Sequence, residues 1–299
     1  MVTFSVFANF YINDKERFLR FKDSFLSFKD IDATKWFINA RGKYKFDVLF
    51  FLHGHLTDRL IPYTLESEEG WFYDSRKMMN DINTDYVFFW VEDHINLIDV
   101  DKYKEIISDM KESQSEYLCY SWWAFGKPKE IYKKVKKNNF RNIESFLLDK
   151  KTHLMIENDH STYIISMQGV FSNQLFKKII EKGAPFLRSY PRKTPFDFEK
   201  GGDDVSWLPI KVAIPKYELF AAIDDDFGLP GVYSLQSRGL YPARVKREQP
   251  IIQNKSGWRV VLRKNIKKML PKKITKPAVC IFIFINKLNK LLWLKFHGL

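Results

Sequence analysis

Short apolar runs alternate along the chain with stretches in which apolar residues recur at helical spacing. The densest run is Tyr86-Val87-Phe88-Phe89-Trp90-Val91, and it leads straight into Glu92-Asp93-His94. A continuous run of this length, rich in aromatic and β-branched residues, predicts a strand buried on both faces, the kind found in α/β sheets. Upstream, residues 3–10 predict a first buried strand that carries Asn9. Asn13 and Asp14 then predict the cap of a helix with Phe18, Leu19, Phe21, Phe25, Leu26 and Phe28 on its apolar positions. A second strand is expected over Lys35–Asn39. Strand, helix, strand implies a parallel crossover.

The rest of the chain continues the alternation. Val48–Leu52 fits either a strand or a helix core. His53-Gly54-His55 would share one face only in a strand, and the intervening glycine favours a loop. From Gly70 a helix is expected with Asp74 or Ser75 as its N-cap, followed by a short helix over 101–113 and a strand over 116–123. Residues 127–151 are Lys-rich with weak helical periodicity and predict a solvated insertion. Thr162–Met167 predicts a strand, and Gln168–Phe171 leads into a helix over Asn173–Glu181. Pro191, Pro195 and Gly201-Gly202 mark a loop that presents Asp203-Asp204. Strand-like stretches follow at Lys211–Ala213 and Phe220–Ile223.

In open α/β sheets ligands bind outside the carboxyl ends of the strands. Polar residues at those ends are therefore the candidates for chemistry. Glu92, Asp93 and His94 close the central run, and carboxylates with an imidazole can ligate a divalent cation, which in turn can hold a diphosphate. The same acids would also serve to open a solvated loop. Asn39, Arg41 and Gly42 close the second strand, where they could hold a base or a phosphate or simply form a turn. Asp224-Asp225-Asp226, between an apolar run and Gly228, is a minor alternative metal site.

Charge changes the picture only at the C-terminus. The chain of 299 residues carries a formal +13, but residues 244–299 hold 15 Lys or Arg and a single acid, Glu248, leaving the other residues at net −1. A neutral body with a basic tail argues against a basic groove across the body and against nucleic acid as partner. Trp258, Val261, Leu262, Ile266, Met269 and Leu270 line one helical face with cations on the other, and Ala278–Leu299 is apolar with interspersed lysines. That composition predicts a basic amphipathic tail lying on an anionic membrane surface, each nearby cation adding roughly 1 kcal/mol. The apolar run Ala278–Ile285 is far shorter than the ~20 residues of a membrane-spanning helix. The N-terminal Met-Val-Thr-Phe-Ser-Val-Phe is expected to be the first strand and not a signal peptide. Two cysteines, Cys119 and Cys280, make no disulfide framework and fit a reducing compartment.

Taken in order, these elements resemble a GT-A glycosyltransferase. Gly70–His94 is similar to the part of that superfamily in which a glycine, a helix start and a strand lead to an acidic motif, with Ser75-Arg76-Lys77 at the helix start and Glu92-Asp93-His94 as the motif. The segment from Thr162 through Gly169 to the following helix resembles the acceptor side that precedes an acidic pair, here Asp203-Asp204. The match departs at the motif, which is not a strict Asp-X-Asp, and at Asn39, where an acid is usual. The resemblance implies an α/β fold of GT-A type over residues 1–243, a Rossmann-like mixed sheet flanked by helices, with the basic amphipathic helical tail over 244–299. It implies a nucleotide-sugar donor bound near Asn9, Asn39, Arg41, Arg76 and Glu92. It also implies Mn2+ or Mg2+ on Asp93 with Glu92 or His94, and Asp204 or Asp203 as general base in an inverting transfer. The expected acceptor is a glycan or lipid-linked glycan, such as a lipopolysaccharide precursor, at the cytoplasmic face of the inner membrane. A non-catalytic membrane-peripheral adaptor is the alternative from another class.

Overall fold

The computed structural model describes residues 2–119, 133–160, 168–182, 207–223 and 234–242. The strand expected over 162–167, Asp203, Asp204, the Asp224–Asp226 cluster and the tail from Arg244 lie outside these residues. Within them the strands are β1 (Phe4–Tyr11), β2 (Trp36–Arg41), β3 (Leu60–Tyr63), β4 (Tyr86–Phe89), β5 (His94–Asn96), β6 (Tyr117–Leu118), β7 (Asn138–Asn139), β8 (Ile143–Leu148), β9 (Gly169–Ser172), β10 (Ile210–Pro215) and β11 (Phe220–Ala222). The helices are α1 (Lys15–Phe28), α2 (Lys45–Leu56), α3 (Trp71–Met79), α4 (Asp101–Glu112), α5 (Lys150–His160) and α6 (Asn173–Lys182).

Nine strands form one mixed sheet in the order β3-β2-β1-β4-β9-β6-β10-β8-β7, and β5 pairs with β11 in a small antiparallel ribbon. The strands β3, β2, β1 and β4 run parallel, in register Asn9 to Asn39 and Phe7 to Phe89. Antiparallel β9 then lies between β4 and β6. This is the Rossmann-like mixed sheet expected from the sequence. Its chain order reverses between β1 and β4: the crossover through α1 goes to one side of β1, and the one through α3 to the other.

Alternation along each strand explains why helices cover both faces. Phe4, Val6, Ala8 and Phe10 of β1, with Tyr86 and Phe88 of β4, pack under α1, α2 and α4 against Phe21, Phe25, Val48, Leu52 and Ile106. Phe7, Val87 and Phe89 point the other way, onto Trp71, Met78, Phe176 and Ile179 of α3 and α6. Each large apolar side chain so buried contributes about 1.5–3 kcal/mol. Asp14 caps α1 as the sequence predicts: its Oδ1 accepts from the Arg17 backbone N–H at 2.8 Å.

Three expectations need correcting. His53-Gly54-His55 is the last turn of α2, not a loop; the His55 ring packs 4.6 Å from Phe51 one turn back and 5.4 Å from Phe25 of α1, and these contacts outweigh the helix cost of one glycine. The Lys-rich stretch is not simply a solvated insertion. Phe146 and Leu148 of β8 face one side of the sheet and Ile143 the other, and β8 pairs antiparallel to β10, with Phe146 opposite Val212; that partner lies far downstream, where local periodicity does not reach. Finally, α3 starts one turn early. Gly70 is its N-cap at φ +90, which puts Asp74 inside the helix and not at its cap.

Candidate active site

Three strands deliver polar residues to one edge of the sheet, at the carboxyl ends of β1, β2 and β4. The loops after β1 and β2 are fastened together there. The Ile12 backbone N–H donates to the Arg41 carbonyl at 3.0 Å, and the Tyr44 N–H donates back to the Ile12 carbonyl at 3.1 Å. Gly42 sits between them at φ +85, and a side chain there would bring its Cβ to 2.7 Å from the Ile12 oxygen. Only glycine fits this close approach in the left-handed region.

Beneath that rim, Asn9 and Asn39 interlock. The Asn39 amide donates to Asn9 Oδ1 and to the Leu65 carbonyl, both at 2.9 Å, and accepts from the Leu65 N–H at 2.7 Å. The Asn9 amide donates to the Trp71 carbonyl at 3.2 Å and to Ser75 Oγ at 3.0 Å, while the Trp71 indole donates to the Asn9 carbonyl at 2.6 Å. Both side chains are buried. Their hydrogen bonds are spent tying the loop at Leu65 and the start of α3 to the sheet, so they shape the crevice from below.

The charged groups lie above this layer. Glu92 and Asp93 form the turn between β4 and β5. Glu92 is 7% exposed, so it is not the start of a solvated loop. Burial pushes its carboxyl up to about 7, the adjacent Asp93 charge adds to the rise, and Arg17 offsets part of it. Arg17, in the first turn of α1, places Nε 3.7 Å from Glu92 Oε1 and donates through Nη1 to the Tyr11 carbonyl at 3.2 Å. Burial also acts to raise Asp93. The His94 hydrogen bond to Asp93 Oδ1, 2.8 Å from Nδ1, together with the positive charges of His94 and Arg17, holds it below the usual carboxylate range instead. His94 is itself fixed: its carbonyl accepts from Ser24 Oγ, and its ring meets Phe220 edge-on at 5.8 Å.

Arg41 completes the group. Burial draws its guanidinium below the usual value, against the fields of Asp74, Glu66 and Glu92. Its Nε is buried with no hydrogen-bond partner among the described residues. Asp74, 1% exposed, accepts from the Ser67 N–H at 3.3 Å.

Asn9, Asn39, Arg41, Glu92, Asp93 and His94 thus all lie at or just past the carboxyl ends of β1, β2 and β4, at the topological switch point. Arg76 does not join them. Because α3 begins at Trp71, its buried face is Trp71, Phe72, Asp74, Ser75, Met78 and Met79, and Arg76 lies on the exposed side, where it donates to the Glu181 carbonyl at 3.4 Å. Nor are Glu92, Asp93 and His94 grouped as one ligand set; His94 Nδ1 is hydrogen-bonded to Asp93 Oδ1. Among the described residues, no three His, Cys, Asp or Glu are grouped to hold a metal ion. Sequence reading missed Arg17. The available signal was electrostatic: a cation in the first turn opposes the helix dipole, so its placement there has a cause elsewhere.

Several solved structures resemble this chain. The first, Staphylococcus aureus TarS 1–349, is 14% identical, with a TM-score of 0.47 over 74% of this chain and 60% of that one. The same fragment in complex with UDP-GlcNAc is 13% identical, with a TM-score of 0.47 over 74% of this chain and 58% of that one. The 4-diphosphocytidyl-2C-methyl-D-erythritol synthase from Anaerococcus prevotii is 10% identical, with a TM-score of 0.38 over 73% of this chain and 89% of that one. The chain spans about 60% of the length of the TarS fragment it matches. No family model matches the chain, and no curated protein matches it in sequence.

Proposed function

We propose that the chain is a glycosyltransferase of GT-A type. It moves a sugar from a nucleotide-sugar donor to a hydroxyl of a membrane-associated glycan or glycolipid. One observation carries the reading: at the switch point of a Rossmann-like sheet, two adjacent carboxylates, one of them buried, face two arginines, Arg17 and Arg41. Such a crevice is where an α/β sheet binds a nucleotide. The arginines suit its diphosphate.

The carboxylates fit a divalent cation. Glu92 and Asp93 repel each other across a short turn, and that repulsion is what a cation would relieve. Mg2+ is often held by one or two carboxylates with phosphate oxygens completing the set, so a three-residue protein cage is not required. Asp93 would hold Mn2+ or Mg2+, oriented by His94 and joined by Glu92 once ionised. When bound, the cation supplies positive charge to the departing nucleoside diphosphate.

Arg17 and Arg41 stabilise the same developing charge from the protein side. In the transfer the acceptor oxygen forms a bond to the anomeric carbon, and the bond from that carbon to the β-phosphate oxygen breaks with its electron pair leaving on the diphosphate. The acceptor proton passes to a carboxylate, for which Asp204, or else Asp203, is the candidate, and this direct displacement inverts the anomeric carbon. The basic amphipathic tail keeps the soluble body at the cytoplasmic face of the inner membrane, beside an acceptor that does not leave it.

Thermal unfolding of the full chain with a panel of nucleoside diphosphates and sugar nucleotides, with and without Mn2+, tests this directly. A ligand that binds only the folded state raises the transition by mass action. A metal-dependent rise for one nucleotide supports the reading and names the donor base. No rise across the panel, with the protein folded, overturns it in favour of a non-catalytic membrane adaptor.

A further inference from the structure

Helix α2 exposes two phenylalanines on its solvent side, alongside Asp47, His53 and His55. Val48, Leu52 and Leu56 face the sheet, while Phe46 is 69% exposed and Phe50 is 84% exposed. Spaced four apart, the two rings share one face of the helix. Amphipathic helices that cover a sheet carry polar residues there, and phenylalanines at this exposure have no role in packing the body.

One lysine stands by the Phe46 ring, and two more lie by the rings of Tyr44 and Phe51, which flank the pair in sequence. Lys45 Nζ stands 5.5 Å from the Phe46 ring centre, Lys43 Nζ lies 5.7 Å from the Tyr44 ring, and Lys22 Nζ on α1 lies 5.1 Å from Phe51. Asp47 is the acid on the helix, and Glu66 pairs with Lys45 at 3.5 Å. Two protruding aromatics with lysines nearby match a surface that is apolar below and anionic above, which is the boundary layer of a membrane with acidic lipids. The chain's own basic tail lacks that complementarity, because it would bring like charge to the lysines.

We propose that Phe46 and Phe50 insert into an anionic lipid surface, as a second foothold independent of the tail. Its place in the fold gives it a consequence. β2 ends at Arg41 and α2 begins at Lys45, so Phe46 stands at the rim of the crevice. The foothold turns the carboxyl edge of the sheet towards the lipid, where a membrane-bound acceptor presents its hydroxyl. The inference deepens the membrane-peripheral reading given above and rests on it for that consequence.

The test places a photoreactive benzoylphenylalanine in the full chain at position 46 or 50, with Leu147, 54% exposed on β8, as control position. The probe is vesicles of equimolar phosphatidylcholine and phosphatidylglycerol. Lipid adducts at 46 and 50 and none at 147 are expected. In parallel, the double substitution Phe46→Ser, Phe50→Ser should weaken vesicle binding by at least about tenfold, given the transfer free energy of two aromatic side chains. The nucleotide-induced thermal shift should be unchanged. A chain that pellets with vesicles yet gives no lipid adduct at 46 or 50 overturns the foothold and leaves the tail reading standing. Adducts to a second copy, or to residues 244–299 of the same chain, also overturn it, in favour of a dimer face or an internal contact. No pelleting and no adduct overturns foothold and membrane reading together.

Discussion

The Glu92→Gln substitution puts the electrostatics of the crevice to a quantitative test. Glutamine keeps the shape of a protonated glutamate, so the variant differs from the parent only where Glu92 is ionised. In the fold that carboxyl titrates at about 7, against an ordinary 4.5, chiefly because it is buried. The folded state therefore binds a proton that the unfolded chain has already released, and the parent loses stability as pH rises between those two values. At about 1.4 kcal/mol per pH unit, the full loss is about 3 kcal/mol above neutrality, somewhat less where Arg17 reorients to screen it. The variant does not share this loss. In metal-free buffer the two should unfold at similar temperatures near about pH 5, and by about pH 8 the variant should be ahead by several degrees, at roughly 2–4 °C per kcal/mol. Scanning calorimetry of both proteins across that range measures it. A gap that stays constant with pH, or a variant less stable than the parent at high pH, would refute the reasoning: the first would mean that Glu92 is solvated, the second that its pair with Arg17 outweighs burial.

The other predictions follow from single contacts. Asp93→Ala should abolish sugar transfer and any metal-dependent nucleotide shift while leaving the circular dichroism unchanged; a fully active variant would remove the metal proposal. Gly169→Ala should destabilise by about 3 kcal/mol or more, because its φ is +144 and the new Cβ would lie 2.2 Å from the Leu118 carbonyl oxygen; urea unfolding reads this out. Asn39→Ala strands the Leu65 N–H, the Leu65 carbonyl and Asn9 Oδ1 in a buried layer, at a cost of about 2–4 kcal/mol, and amide exchange should rise first around Leu65. Vesicle binding by the full chain should fall steeply as salt is raised towards about 1 M, where the screening length shortens to about 3 Å.

The sequence alone determined what local pattern controls. The run Tyr86–Val91 is apolar at every position, so it had to be a strand buried on both faces, and Asp14 before a helical period had to be a cap. Placing Arg41 and Glu92-Asp93-His94 at strand ends followed from reading Lys35–Asn39 and Tyr86–Val91 as strands, because in a parallel sheet all such ends lie on one edge. The partition of charge was equally legible, since it depends on composition and not on folding. What the sequence left open depended on partners distant along the chain. β8 became a strand because β10 was there to pair with it, and α2 ended as a helix because Phe25 of α1 gave His55 a place to stack. Whether Glu92 is buried or solvated, and whether Arg76 faces the crevice or Glu181, turns on a single residue of helix start or one element packed overhead. Those choices are settled by burial and by the geometry of neighbouring elements, which act only once the chain is assembled.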